Sequence, residues 1–210
     1  YPGGSGPYDQ FVFSAYNELR NFNVHSQAYI TAISIRSDDA DKGSTPNDAL
    51  YVLELDEFTF DGTNAAITGA WLGHYQAIFR ANLAIDNIPG IEMDSTLRAR
   101  LIGECRFLRA YAYFRLVQWY GDVPLITTIL NDDQYYNQER TSKELVYDFI
   151  ETDLLAAIEA LPEKDEYASA DLGRATKGAA RGILAKLYAV QHDFPKVIEQ
   201  CDAIINSGEY

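Results

Sequence analysis

An all-α fold, made of stacked helical hairpins joined by long irregular loops, is the class this sequence predicts. Three observations predict it. Between Leu101 and Trp119 the residues Leu101, Cys105, Leu108, Ala112, Leu116 and Trp119 recur every three or four positions, which places them on one helix face. Phe107, Tyr111, Phe114 and Val117 fill the flanking face, so this helix is apolar over enough of its circumference to require cover on several sides. The chain then closes on a helical hairpin, Thr176 to Gln191 and Phe194 to Asn206, turning at His192-Asp193.

The remaining elements follow in order. Tyr1–Pro7 reads as a flexible lead-in, rich in Gly and Pro. Residues 8–22 carry Phe11, Ala15, Leu19 and Phe22 at helical spacing and predict a first helix. Tyr29–Ile35 fits helix or strand, with helix favoured by its surroundings. Arg36 to Asp48 is a loop dense in turn formers and carboxylates. Tyr51–Phe60 alternates weakly and predicts an extended segment. Trp71, Tyr75, Ile78, Asn82, Ile85 and Ile88 restore the helical period, which Pro89-Gly90 ends. The central helix begins near Ser95 and stops at Gly121, where glycine tolerates the backbone of a helix C-terminus; Pro124 bars a restart. Residues 126–140 read as a polar loop containing Asp and Tyr. Thr141-Ser-Lys-Glu144 predicts a capping box opening a helix that runs to Leu161 and is stopped by Pro162.

Composition narrows the function classes. The chain has 210 residues, 47% hydrophobic and 23% charged, which suits a folded domain with a real core. Seventeen basic residues against 31 acidic give a net charge of −14. That argues against nucleic acid and against adsorption to anionic lipid, both of which need a cationic face. With fifteen tyrosines, the acidic chain is suited to neutral polar ligands held by stacking and hydroxyl bonds, although Tyr also packs between helices. Cys105 and Cys201 form no Cys-x-x-Cys pair and read as free thiols. No run of about 20 apolar residues predicts a membrane span.

The closing hairpin, with Leu184, Ala185 and Tyr188 followed by Phe194, Val197, Cys201 and Ile204, resembles a tetratricopeptide (TPR) repeat. The second-helix pattern recurs in Tyr147, Ile150, Leu154, Ala157 and Pro162, giving TPR-like units at about 95–162 and 176–207. A more specific likeness is carried by Phe107-Leu-Arg-Ala110-Tyr-Ala-Tyr-Phe114, closing with Tyr120-Gly-Asp-Val-Pro-Leu125. Ser37-Asp-Asp-Ala-Asp-Lys-Gly43, Ile78-Phe-Arg-Ala-Asn82, Arg140-Thr-Ser-Lys143, Gly173-Arg-Ala-Thr-Lys177 and Ser207-Gly-Glu-Tyr210 agree in order. With these motifs the whole chain, 1–210, resembles the N-terminal helical part of the SusD/RagB family, without the lipidated Cys and the C-terminal portion. That resemblance implies a surface-exposed lipoprotein of the cell outer membrane, held by a lipid anchor outside this chain. It implies non-catalytic binding of oligosaccharides, or of peptides in some members, and delivery to a SusC-like TonB-dependent transporter. No cofactor or metal is implied.

The family signature says nothing about the ligand, so candidate binding residues rest on their chemistry. Carboxylates and amides accept or donate paired hydrogen bonds to vicinal hydroxyls, and aromatic rings cover the apolar face of a sugar. Asp38, Asp39, Asn47 and Asp48 are nominated as polar ligands, with Tyr51, Phe58 and Trp71 as platforms. A solvated loop and core aromatics are the competing reading, and Trp71 in particular lies on an apolar helical stripe. As calcium ligands the aspartates lack EF-hand order, since Gly43 falls where an oxygen ligand is needed. Arg106, Arg109 and Arg115 are expected on the polar side of the central helix, paired with carboxylates or carbonyls. Gly121-Asp-Val-Pro124 is explained by a helix stop and turn. No nucleophile, metal or phosphate motif stands out, and nothing selects one carboxylate pair for glycoside hydrolysis. The rival reading is a TPR scaffold for peptides. It would need regular repeats of about 34 residues and usually a basic clamp, and here the repeats are interrupted and acidic.

Overall fold

The computed structural model describes residues 8–210; the lead-in at 1–7 lies outside the described residues. Among the described residues the secondary structure is helical: α1 (Asp9–Glu18), α2 (Gln27–Ile30), α3 (Leu50–Asp56), α4 (Ala65–Asn87), α5 (Ser95–Tyr120), α6 (Asp132–Tyr135), α7 (Lys143–Ala160), α8 (Lys177–Val190) and α9 (Phe194–Ser207). A single antiparallel bridge, Val123 with Thr141, is the one extended pairing found among them. The chain divides into two compact units. One holds the described residues up to Ala15 together with Ile78–Tyr210, the other Tyr16–Ala77.

In the larger unit α5 is the central helix. Asp94 caps it, its carboxylate accepting from the backbone N–H groups of Thr96 and Leu97 at 2.9 Å each. Gly121 ends it at φ +70°, where a side chain would be strained, and its N–H still reaches Val117 O. The predicted stripe is buried from Leu101 to Leu116 and half-buried at Trp119, while Phe114 and Val117 close the flank. Each fully buried aliphatic side chain contributes roughly 1.5–3 kcal/mol relative to exposure.

Helix α7 packs along α5, α8 along α7, and α9 against α8, giving the expected stacked hairpins. The α5–α7 approach is close at Gly103, where an added Cβ would meet Ala160 Cβ at 2.8 Å. Ser142, not Thr141, caps α7. Thr141 is held extended by two backbone bonds to Val123, of 3.1 and 2.9 Å, so the helix opens one residue later than the capping box predicted. Asp122 then accepts from Lys143 N–H at 2.9 Å, and Arg140 donates to the carbonyls of Asp122 and Tyr120. The Gly121-Asp-Val-Pro124 turn is thus the clasp between the end of α5 and the start of α7. At the far end, Tyr210 lies over Gly178, and its hydroxyl shares a 2.6 Å hydrogen bond with Thr176.

Arg109 departs from expectation. It is paired as predicted, yet it is buried in the core instead of lying on a polar side. Its guanidinium makes a bidentate pair with Asp153 of α7, at 2.7 and 2.9 Å, and donates to Asn82 of α4 and to Thr127 O. Asn82 in turn donates to Ile126 O and Thr128 O, and Tyr113 exchanges hydrogen bonds with both backbone groups of Ile126. Arg115 instead lies half-buried, bonded to the Tyr111 hydroxyl, and the buried Nε of Arg106 has no hydrogen-bond partner. A second buried network joins Asp9, Glu104, Arg174, Asp171 and Arg100.

In the smaller unit three expectations shift. The first helix stops at Glu18, because the chain tightens there to i→i+3 turns at Leu19, Arg20 and Asn21, which leaves Phe22 exposed. The stretch after α2 is helical, but it widens into a π-helical turn, Thr31–Ile35. Tyr51–Phe60 is helical through Asp56 instead of extended: Val52 and Leu55, three apart, are the buried pair, and that is a helix spacing. Helix α4 also begins two turns earlier than its apolar period, where Asn64 accepts from Ala66 and Ile67 N–H.

Two stability outcomes follow from these contacts. Asp153→Ala leaves a buried guanidinium without its counter-ion and is expected to cost about 3–5 kcal/mol in chemical denaturation. A loss under 1 kcal/mol would show that the pair does not hold the core. Gly103→Ala forces α5 and α7 apart against Ala160 and should cost roughly 1–3 kcal/mol, measured the same way.

Candidate functional site

The site is best built from the smaller unit, where all seven nominated residues lie. Helix α3 ends in a Schellman motif: Thr59 N–H donates to Glu54 O at 2.9 Å and Phe58 N–H to Leu55 O at 3.4 Å. The motif puts Phe58 at φ +56°, a left-handed position that usually belongs to glycine. A bulky residue there costs about 1–2 kcal/mol, and the ring gains little in return from burial, being 64% exposed.

Beyond Phe58 the chain leaves the helix with no regular secondary structure through Asp61, and Arg36 reaches both aromatic rings of that segment. Its guanidinium carbon is 5.9 Å from the Phe58 ring centroid and 4.9 Å from that of Phe60. Arg36 follows directly on the π-helical turn, an element that occurs often at functional sites. Its backbone N–H donates to Ser34 O, but its guanidinium makes no hydrogen bond or ion pair among the described residues, despite three aspartates within five positions. Six residues on, Lys42 N–H donates to Asp56 Oδ2 at 3.0 Å. Both ends of the 36–42 segment are therefore tied to residues 56–60, and the exposed Asp38 and Asp39 hang between the two ties.

The other nominees are placed differently. Asn47 and Asp48 are exposed but precede α3, so its seven residues, about 10 Å of helix, separate them from Phe58. Tyr51 serves as a brace: its hydroxyl accepts from the Gln27 amide and its carbonyl accepts from Asn64. Trp71 is half-buried, not core, and lies against Tyr75 of its own helix at 4.9 Å between ring centroids. The structure thus joins Phe58 to Arg36 and Phe60, which sequence reasoning missed, and leaves Asp38 and Asp39 exposed on the adjoining 36–42 segment. The available signal was the Phe58-Thr-Phe60 spacing, whose two rings both meet Arg36.

Outside this cluster the described residues show an open notch but no metal site. An open notch of about 320 Å³ is lined by Asn17, Glu18, Arg20 and Asn21 and contains no aromatic ring. No group of three or more His, Cys, Asp or Glu side chains there could hold a metal ion. Cys105 is free and fully buried, and burial, then the charge of Glu104, push its thiol far above the ordinary range, so it is held as an unreactive thiol. Cys201 is also free and half-buried. Among the described residues no helix is long and apolar enough to cross a membrane.

Comparison with known proteins bears on this geometry. A family model described as starch-binding and associating with the outer membrane matches residues 9–189. SusD-like protein P2 of Formosa agariphila is 31% identical over 155 residues, covering 73% of this chain and 30% of the relative. A SusD-like protein of Bacteroides ovatus is 37% identical over 127 residues, or 58% of this chain and 22% of the relative. Among solved structures, a laminarin-binding SusD-like protein superposes with a TM-score of 0.85 at 28% identity, over 94% of this chain and 42% of the other. A structure solved with xylogluco-oligosaccharide superposes with a TM-score of 0.71 at 27% identity, over 86% of this chain and 34% of the other. The chain spans about a third of the length of the curated relatives it matches. With the helical architecture and a family match over residues 9–189, the chain belongs to the SusD-like family.

Proposed function

We propose that this chain is the helical part of a non-catalytic, surface-exposed outer-membrane lipoprotein that binds oligosaccharides and passes them to a SusC-like TonB-dependent transporter. The observation that carries the binding half is the Phe58–Arg36–Phe60 cluster: two rings and an unpaired guanidinium, held at a backbone cost the fold does not recover by burial. Rings of this kind cover the C–H face of a pyranose, while Arg36 donates to hydroxyl oxygens and Asp38 and Asp39 accept from hydroxyl protons. Asn47, Asp48 and Trp71 are retained as outlying contacts, and Tyr51 as a brace. The laminarin-binding and xylogluco-oligosaccharide-bound neighbours support a glycan ligand over a peptide. Membership of a family described as associating with the outer membrane supports the location. Binding proceeds without turnover, cofactor or metal.

Affinity gel electrophoresis of the full chain with starch, laminarin and xyloglucan, with product analysis on the same samples, tests the proposal. Retardation by one glycan without its shortening is the expected result; release of shorter sugars would sink the non-catalytic reading. Phe58→Gly separates platform from scaffold. Glycine suits φ +56°, so stability should stay within about 1 kcal/mol of the parent or exceed it. Glycan affinity should fall roughly tenfold with the loss of the ring. Unchanged affinity would remove Phe58 from the site.

A further inference from the structure

The two tyrosines most open to solvent among the described residues lie outside this cluster. Tyr135 and Tyr136 are 68% and 85% exposed, and their rings meet edge to face with centroids 5.3 Å apart. Tyr135 ends α6 and Tyr136 is its C-cap, on a single helical turn inside the 126–140 segment expected to be loop throughout. A reciprocal capping box fixes that turn: Asn131 accepts from Gln134 N–H, and the Gln134 side chain accepts from Asn131 N–H. The amides of Asn137 and Gln138 are likewise spent on the carbonyls of Asp133 and Gln134. The loop's amides thus go into its own rigidity. Left over are two phenol hydroxyls and the carboxylates of Asp132 and Asp133, none bonded to another described residue.

This patch combines open ring faces with free hydroxyl and carboxylate groups on a prefixed turn. Its ligand must offer a C–H face and hydroxyl edges, and must not be anionic. An apolar protein helix fits poorly, because such docking needs a contiguous, charge-depleted centre, and here two carboxylates flank the rings. Anionic chains are repelled by the same carboxylates and by a net charge of −14. A neutral pyranose chain meets each requirement.

We propose that Tyr135 and Tyr136, with Asp132 and Asp133, form a second carbohydrate-contact surface for neutral polysaccharide, separate in sequence from the Phe58 cluster. The proposal rests on the glycan-binding reading above. It adds a second point of contact for polysaccharide beyond the Phe58 cluster.

The double variant Tyr135→Ala/Tyr136→Ala tests it on the full chain, with Phe58→Gly alongside. Because both rings are exposed, its thermal unfolding should match the parent, and circular dichroism checks this. In gels containing starch, laminarin or xyloglucan, the dissociation constant for whichever polymer retards the parent should rise at least about threefold. Combined with Phe58→Gly, the loss should exceed that of either variant alone. The same polymer should also slow nitration of Tyr135 and Tyr136 by tetranitromethane, followed by peptide mass mapping. If the parent is retarded and the double variant migrates identically to it, the second surface is overturned while the glycan reading stands, and a protein partner becomes the occupant to seek. If none of the three polymers retards the parent, both fail together.

Discussion

The buried guanidinium of Arg109 is the constraint on which the larger unit depends. A charge in an apolar interior is tolerated only when paired and hydrogen-bonded in full, and three separate parts of the chain do this. Asp153 supplies the counter-ion from α7, Asn82 an amide oxygen from α4, and Thr127 a backbone carbonyl from the segment after α5. A hydrophobic side chain would fill the same space with looser demands on register. The guanidinium accepts one placement of its neighbours, because a shift of any of them strands a buried donor. Phe149 packs across its face at 4.9 Å and meets the Tyr113 ring edge-on, which ties the polar network to the aromatic core.

That constraint reaches the surface. Ile126, Thr127 and Thr128 are held against α4 and α5 by the same network, so the chain leaves the core at a fixed point before it forms α6. Burial pushes the Tyr113 hydroxyl well above the ordinary phenol range, so it stays protonated and keeps donating to Ile126 O. At the other end of α5, Arg174 gathers Asp9, Glu104 and Asp171, fixing the turn before α8. Tyr135 and Tyr136 therefore stand on a segment anchored at its start, which reduces the ordering cost of any ligand that uses them.

The smaller unit follows another logic. Its candidate cluster breaks local rules instead of satisfying them: a phenylalanine where glycine is favoured, a π-helical turn, and an arginine without a carboxylate among aspartates. Where local preferences are overridden with no gain in packing, the physical reading is function. The Gly121-Asp-Val-Pro124 turn is the converse case. It looks functional as sequence, yet Asp122 and Val123 use their carbonyl, carboxylate and backbone groups to clasp α5 to α7.

Local physics made much of this readable in advance. Helix α5 and the α8–α9 hairpin were legible to within a residue or two because period, cap and stop coincide there. The family was legible too, through motifs on the same helix. Phe58, Asp38 and Asp39 could be nominated from chemistry alone. What sequence could not supply was decided by contacts between distant residues. Thr141 lost its cap to a bridge with Val123, and Arg109 went inward because Asp153, 44 positions away, meets it there. Phe60 and Arg36 joined Phe58 only because Lys42 and Asp56 close a loop between them. Periodicity reports what one helix needs from its surroundings; which residues meet that need is set by packing across the chain.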